Sequence, residues 1–368
     1  MTRFLGNEAL TSLNPLIAEP RFRQVTLAEK RAFLESGQAW PGEPPPRCIE
    51  TQSSLAFLTR DRVWKLKKPV RFSHIDLRAL VDRKGFCEEE VRLNRQLSGS
   101  LYRGVTPLVQ RCDGTLALGG AGQAVDWLVE SIRMPANAML DVRLRQGPPP
   151  DLEDILAISD LLIAFYRSRP TVPSDGAVYY HRLLQDSRLN AQNLREMQRE
   201  LPVPPSDEVL QSGTEALKLC RAEILARARR GLIFEGHGDL RAEHVSLADR
   251  SVVFDRMEFD HGSRLVDPYE EFNTLGLECA LAGAGWIRPV MFLRLAYAGF
   301  AAPGCALLAA YGINRCLTLA RLAIDHFRDR DMSSPAKWRD RARFHFDAAV
   351  ALTERFQSFR DCAPGQDG

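Results

Sequence analysis

A chain of 368 residues has room for about two domains of ordinary size, and 45% apolar with 26% charged residues is a globular composition that excludes a disordered or collagen-like chain. Lys and Arg number 49 against 47 Asp and Glu, a formal charge of +2, so no global positive field awaits a nucleic-acid backbone. The opening residues lack the apolar run of a secretory signal and no stretch reaches about 18 consecutive apolar residues, so a cytoplasmic protein with neither nucleic-acid nor membrane partner is expected. Eight cysteines without CxxC spacing favour reduced thiols over a disulfide or zinc framework.

The Pro-rich break WPGEPPPR closes a short helical N-terminal extension, residues 1–46. After it, CIETQSSLAFLTRDRVWKLKK predicts a short strand from Cys48, a turn, a second strand over Leu55 to Thr59 and a third over Arg62 to Lys67. Alternation along the third puts Val63, Lys65 and Lys67 on one face, with Trp64 and Leu66 on the other. Helical spacing follows from Leu80 to Leu97 around Glu88, Glu89 and Glu90, then two strand-like runs, Gly104 to Gln110 and Gly122 to Ile132, and a connector near Glu130 to Pro135. From residue 134 the chain reads as largely helical. Asp151 to Arg167, Leu183 to Glu200, Asp207 to Arg230 and the runs from Tyr269 to about Arg355 carry apolar faces at helical spacing, with one strand-rich stretch between Gly231 and Asp260. The fold class this implies is α+β: a small antiparallel-sheet lobe over residues 47–133, then a larger mainly helical lobe over 134–368.

That stretch concentrates His237, Asp239, Glu243, His244, Asp255, Glu258 and Asp260 around two apolar strands, Leu232 to Phe234 and Val252 to Phe254. Carboxylates directly after buried strands are costly unless they bind something. The string HGDLRAEHV, followed by FDRMEF, resembles the catalytic and metal loops of aminoglycoside phosphotransferase-like kinases, whose usual form is HGDLHxxN with a later strand ending in Asp. IETQSSLAFLTRDRVWKLKKPV, FCEEEVRLNRQL and LYRGVTPL resemble the first lobe of a bacterial subfamily of uncharacterised phosphotransferase-like proteins, some of which carry a further C-terminal P-loop ATPase domain. The resemblance covers about Cys48 to Leu275; no GxxxxGK[ST] string occurs, so that further domain is not expected in this sequence.

The resemblance implies a bilobal protein kinase-like fold, with ATP and Mg²⁺ as cofactors and a small-molecule acceptor as partner. Phosphoryl transfer needs a group that orients or deprotonates the acceptor hydroxyl, a hard cation held by carboxylates, and a positive side chain on the phosphates. Asp239 takes the first role and Asp255 the second, while His237 braces the loop. Lys65, in the run VWK, matches the phosphate-binding lysine, with Lys67 on the same face as the alternative; Glu90 is its partner, with Glu89 the alternative. Ser53 and Ser54, in the turn from Thr51, offer hydroxyls and N–H groups to a phosphate, and Val129 to Ile132, including Glu130, offers backbone groups to an adenine.

One position departs from the pattern: where the family has Asn as second metal ligand, this chain has His244, which suits Mn²⁺ better than Mg²⁺. Arg241 stands in place of the loop's second histidine and could contact a phosphate or a carboxylate; Glu258 and Asp260 are candidate substrate contacts, or partners of Arg256 and Arg264. The remaining histidines, His345 among them, form no spacing pattern. Three functions are consistent with these residues: an ATP-dependent small-molecule kinase, a nucleotide-binding pseudokinase that regulates a protein partner, and a transition-metal hydrolase.

Overall fold

The computed structural model describes residues 23–71, 75–169, 176–197, 205–248, 250–325 and 335–361. Two units divide the chain: Met1–Arg95 with Gly99–Arg133, and Gln96–Ser98 with Met134–Gly368. The first is built on an antiparallel sheet of β1 (Arg47–Glu50), β2 (Ser54–Leu58), β3 (Arg62–Lys67), β4 (Tyr102–Gln110), β5 (Leu116–Leu118) and β6 (Gln123–Ile132), in the order β1-β2-β3-β6-β4-β5. The tight turns after β1 and β2 lay the first three strands side by side, as the Thr/Gln/Ser/Ser and Arg-Asp turn sequences require. β6 then inserts between β3 and β4. It runs on through Ile132, which pairs with Arg62, so the expected connector starts at Arg133 and not at Glu130.

Two helices complete this unit, α1 (Leu27–Glu35) and α2 (Leu80–Ser98). Thr26 starts α1 through a reciprocal capping box with Glu29. Leu34 of α1 and Trp40 after it join Leu55, Phe57, Trp64, Leu66, Leu108 and Leu128 in one core. Lys30 reaches beneath the sheet to Asp126 Oδ2 at 2.8 Å, and Arg83 of α2 meets Asp126 Oδ1 at 2.8 Å. The boundary expected at residue 46 is therefore corrected: α1 shares the sheet's core and its buried ion pairs, and belongs to the first unit.

The second unit is mainly helical and has two cores. α3 (Leu140–Gln146), α4 (Leu152–Arg167), α8 (Pro268–Leu281) and α9 (Ile287–Tyr297) enclose Leu140, Ile158, Leu162, Tyr166, Phe272, Ile287 and Met291, together with Phe234, Val245 and Val253 from short strands. α5 (Ala177–Glu196), α6 (Asp207–Leu219), α7 (Arg221–Arg229), α10 (Cys305–Asp325) and α11 (Pro335–Asp361) enclose the other. α6 and α7 replace the single helix expected over Asp207 to Arg230; Cys220 ends one and begins the other. α10 is long and apolar enough to cross a membrane, but its Leu307, Ile313, Leu317 and Ile324 are buried against neighbouring helices. The two apolar strands of the polar stretch do not pair with each other. β7 (Phe234–Glu235) pairs with β10 (Leu265–Val266), and β8 (Val245–Ser246) with β9 (Val252–Val253). The expected α+β class, an antiparallel-sheet unit followed by a larger helical one, is the one observed.

Candidate active site

β7 ends at Glu235 and the chain turns sharply through Gly236, His237, Gly238 and Asp239. A Cβ on Gly236 would stand 2.5 Å from Glu271 Oε2, and Gly238 has φ +88°, so only glycines let the turn close on α8. Buried Glu271, in the first turn of α8, accepts His237 N–H at 3.0 Å, Gly238 N–H at 2.6 Å and the Tyr166 hydroxyl at 2.7 Å. Its carboxyl titrates above the usual range because burial outweighs those bonds. His237 has no exposed surface; its Nε2–H donates to Phe254 O at 2.9 Å, and its Nδ1 accepts Asp239 N–H at 3.3 Å. Burial, reinforced by nearby His244, lowers its pKa to about 4, so His237 braces the loop as a neutral imidazole with both nitrogens engaged.

Asp239 keeps its carboxylate partly open at 23% side-chain exposure, with Oδ1 3.2 Å from Arg315 Nη2 of α10. Burial pushes this carboxyl up, but Arg315, His244 and Arg241 outweigh it and the net displacement is downward. It is therefore ionised at neutral pH and able to accept a hydroxyl proton bond. His244 stacks on His237 with ring centroids 5.7 Å apart. Its Nδ1–H donates to the backbone oxygen of Asp239 at 2.8 Å, since a carbonyl only accepts, and this turns Nε2 to within 3.7 Å of Asp255 Oδ2. Asp255, just past β9, has φ +61°, the one positive φ outside glycine among the described residues. That backbone is sparsely populated except by Gly, Asn and Asp. One loop and one strand end thus bring an ionised carboxylate, an imidazole nitrogen and a second carboxylate into one cluster.

In the first unit, Glu90 turns inward from α2 and meets Lys67 at 2.6 Å and Lys65 at 3.1 Å. Lys67 is fully buried while Lys65 keeps 21% of its side chain exposed; Glu89 pairs with Arg92 on the surface. The alternation that puts both lysines on one face is why a single glutamate holds both. Ser54 is buried with its hydroxyl on Thr51 Oγ1 at 2.9 Å and its N–H donated to the same oxygen at 3.0 Å, while Ser53 O accepts Lys68 N–H at 2.7 Å. Glu130 lies inside the sheet between Trp64 and Gly104, with its side chain 3.4 Å from Arg62.

Around the loop of the second unit, Arg241 pairs with Glu243 at 2.7 Å and faces Glu278 of α8 at 3.8 Å. Glu258 is buried rather than open to an acceptor. Asp260 spends both carboxylate oxygens on the N–H groups of Gly262 and Ser263 and on the Ser263 hydroxyl, which makes it a turn former. Arg256 and Arg264 converge on Glu235 at 3.0 and 2.9 Å. Sequence reasoning missed Glu271, Glu278 and Arg315. Only Glu271 leaves a trace in the sequence, through the glycine that makes room for it.

No family model matches the chain. Uncharacterised proteins of Mycobacterium bovis and Mycobacterium tuberculosis are each 27% identical to it over 252 residues, 64% of this chain and 46% of theirs, so the chain spans about half the length of these relatives. Among solved structures, an APH(2″) enzyme in complex with GDP and kanamycin has 14% identity over 89% of this chain and 98% of its own, with a TM-score of 0.47. A choline/ethanolamine kinase family protein from Mesorhizobium loti has 14% identity over 90% and 97%, with a TM-score of 0.45. The GDP complex of an aminoglycoside 2′-phosphotransferase has 15% identity over 90% and 99%, also with a TM-score of 0.45.

Proposed function

We propose that the chain is a phosphotransferase that moves the γ-phosphoryl group of ATP to a hydroxyl of a small polar molecule. In the first unit Lys65, partly exposed and held by Glu90, supplies the positive charge for the nucleotide phosphates, while buried Lys67 fixes Glu90 in place. Asp239 accepts the acceptor's hydroxyl proton while the oxygen bonds to the γ-phosphorus and the bond to the departing ADP breaks. Asp255 and the Nε2 lone pair of His244 are the donors suited to a divalent cation, Mg²⁺ or Mn²⁺, which when bound neutralises charge on the phosphates. Among the described residues no cluster of three or more His, Cys, Asp or Glu could hold a metal by itself. Phosphate oxygens and water would complete the coordination. The observation that carries the reading is the approach of His244 Nε2 to within 3.7 Å of Asp255 from the same loop that presents ionised Asp239.

The hydrolase reading fares worse on the same geometry. A catalytic zinc takes three protein ligands, and His237 has no lone pair to give because Phe254 O and Asp239 N–H engage both its nitrogens. The test is ATP binding and ADP release in wild type, D239N and D255N with Mg²⁺ and with Mn²⁺. D239N should keep nucleotide binding and lose turnover by about 10²–10⁴-fold, the usual worth of a positioned base. D255N should lose the cation-dependent part of nucleotide binding. Unchanged turnover in D239N would end the assignment, and nucleotide binding without turnover in wild type across a broad panel of hydroxyl acceptors would favour the pseudokinase.

A further inference from the structure

α8 grips the loop that carries Asp239 at two places. Glu271 and Glu278, about two turns apart, lie on one face of the helix. Glu271 accepts the N–H groups of His237 and Gly238, and Glu278 Oε2 accepts the N–H of Ala242 at 3.0 Å, so Asp239 stands between the two grips. Backbone anchors fix where the residue is but not where its carboxylate points. A third contact does that: Arg315 of α10 donates from Nη2 to Asp239 Oδ1 at 3.2 Å, and the same nitrogen is 3.6 Å from Glu278 Oε1. One guanidinium nitrogen thus lies between a carboxylate on the loop and a carboxylate on the helix that holds the loop. Arg241, the loop's own guanidinium, turns instead to Glu243 at 2.7 Å.

The bonding of Arg315 differs from that of the buried arginines that tie this unit together. Arg227 gives Nε and Nη2 to Asp267 and Nη1 to Ala301 O, and Arg256 gives its nitrogens to Gly236 O, Glu235 O and Gln96 Oε1. Arg315, with 15% of its side chain exposed, makes one hydrogen bond among the described residues, the one to Asp239, and its Nε is buried without a partner. A buried donor left unfilled is destabilising, so an arginine bonded this sparsely is a poor tie for helix packing alone. Glu278 faces its charge without taking a hydrogen bond on Oε1, which leaves the Nη2 proton to Asp239. With Oδ1 engaged, Oδ2 of Asp239 has no protein partner among the described residues.

We propose that Arg315, tethered by Glu278, is a positioning residue for the transfer: it fixes Oδ1 of Asp239 and thereby presents Oδ2 to the acceptor's hydroxyl. The role rests on the phosphotransferase reading, and a double-substitution cycle separates the two. ADP release is followed with Mg²⁺ and ATP and with glycerol, glucose, ribose or ethanolamine, against water as background, in wild type, R315Q, R315K, E278Q, D239N and the variant that combines R315Q with D239N. R315Q should lower kcat by about 10–100-fold, the cost of a misaimed reacting group, and leave the KM for ATP within about twofold. R315K, which keeps a charge on a shorter arm, should regain part of kcat, and it is the second variant should R315Q fail to fold. E278Q keeps an oxygen for the Ala242 N–H but loses the charge that tethers Arg315, so it should lower kcat by a smaller factor than R315Q. In D239N, where no charged carboxylate is left to aim, R315Q should cost less than about twofold. An arginine that only held α10 to the loop would act on D239N by the same factor as on wild type, and unfolding temperatures show which variants fold.

A kcat unchanged in folded R315Q, or the same fractional loss with and without D239N, overturns the positioning role and leaves Asp239 as the residue that receives the hydroxyl. Turnover that D239N does not reduce, or nucleotide binding without turnover in wild type across these acceptors, overturns the phosphotransferase reading, and the role of Arg315 falls with it.

Discussion

Acid should destabilise this protein through two buried imidazoles, and the effect can be worked from the structure. His237 titrates at about 4 and His345 at about 3, against 6.5 for an unperturbed histidine. Below pH 6.5 the unfolded chain binds a proton at each that the folded chain refuses, so proton uptake favours unfolding and stability falls as pH is lowered toward the folded values. Above pH 6.5 both rings are neutral in both states and the contribution is complete. At pH 5 each imidazole sits about 1.5 pH units inside this window, and at about 1.4 kcal/mol per unit the two together cost about 4 kcal/mol. With about 2–4 °C per kcal/mol for a unit of this size, the unfolding temperature should drop by about 8–16 °C from these residues.

Urea or thermal unfolding at pH 7.5 and pH 5, in buffers free of phosphate and carboxylates, measures the change. H345L isolates half of it, because His345 has no hydrogen bond to lose and the leucine cannot titrate. Acids with raised values such as Glu271 and Asp267 titrate alike in both proteins and cancel in the comparison. H345L should therefore lose about 2 kcal/mol less than wild type on acidification. Equal losses in the two proteins would refute the assignment of a buried, unprotonated ring.

Three other substitutions test the scaffold and the site. E271A strands the His237 and Gly238 N–H groups and the Tyr166 hydroxyl, which at about 1–3 kcal/mol each predicts a loss above about 3 kcal/mol by urea unfolding; a loss below about 1 kcal/mol would contradict its anchoring role. K67M should cost about 3 kcal/mol of first-unit stability, because it removes one partner of a buried pair, whereas K65M should cost less stability and more nucleotide affinity; nucleotide titrations and unfolding curves that rank the two the other way would reverse the roles. H244N replaces an imidazole nitrogen with an amide oxygen and should raise turnover with Mg²⁺ relative to Mn²⁺ several-fold, read as the ratio of initial rates; an unchanged ratio would remove His244 from the cation's surroundings.

Local pattern carried what the sequence could reveal. Alternation over Arg62 to Lys67 matches β3 residue for residue, and the inward turn of Glu90 follows from its place on a helix that packs beside that strand. The span of β6 was less legible, because whether Glu130 is strand or connector depends on Arg62 pairing with Ile132, a contact made across the sheet. The break between α6 and α7 at Cys220 has no glycine or proline to announce it. Asp260 looked like a ligand because a turn-forming aspartate and a binding one have the same identity; only its three hydrogen bonds tell them apart. Arg315 was beyond reach, since a helix far along the chain delivers it to Asp239 and no spacing within the HGD loop encodes its arrival.

The salt link from Lys30 to Asp126 has a practical outcome for anyone trimming this polypeptide. The proline run before Arg47 invites a truncation there, yet a fragment starting at that point would lose the cation that meets buried Asp126 and keep only Arg83 of the two that pair with it here. It would also uncover Phe57 and Trp64, which Trp40 covers with ring centroids 6.2 and 5.9 Å away. A soluble recombinant fragment of the sheet unit has to begin upstream of Thr26.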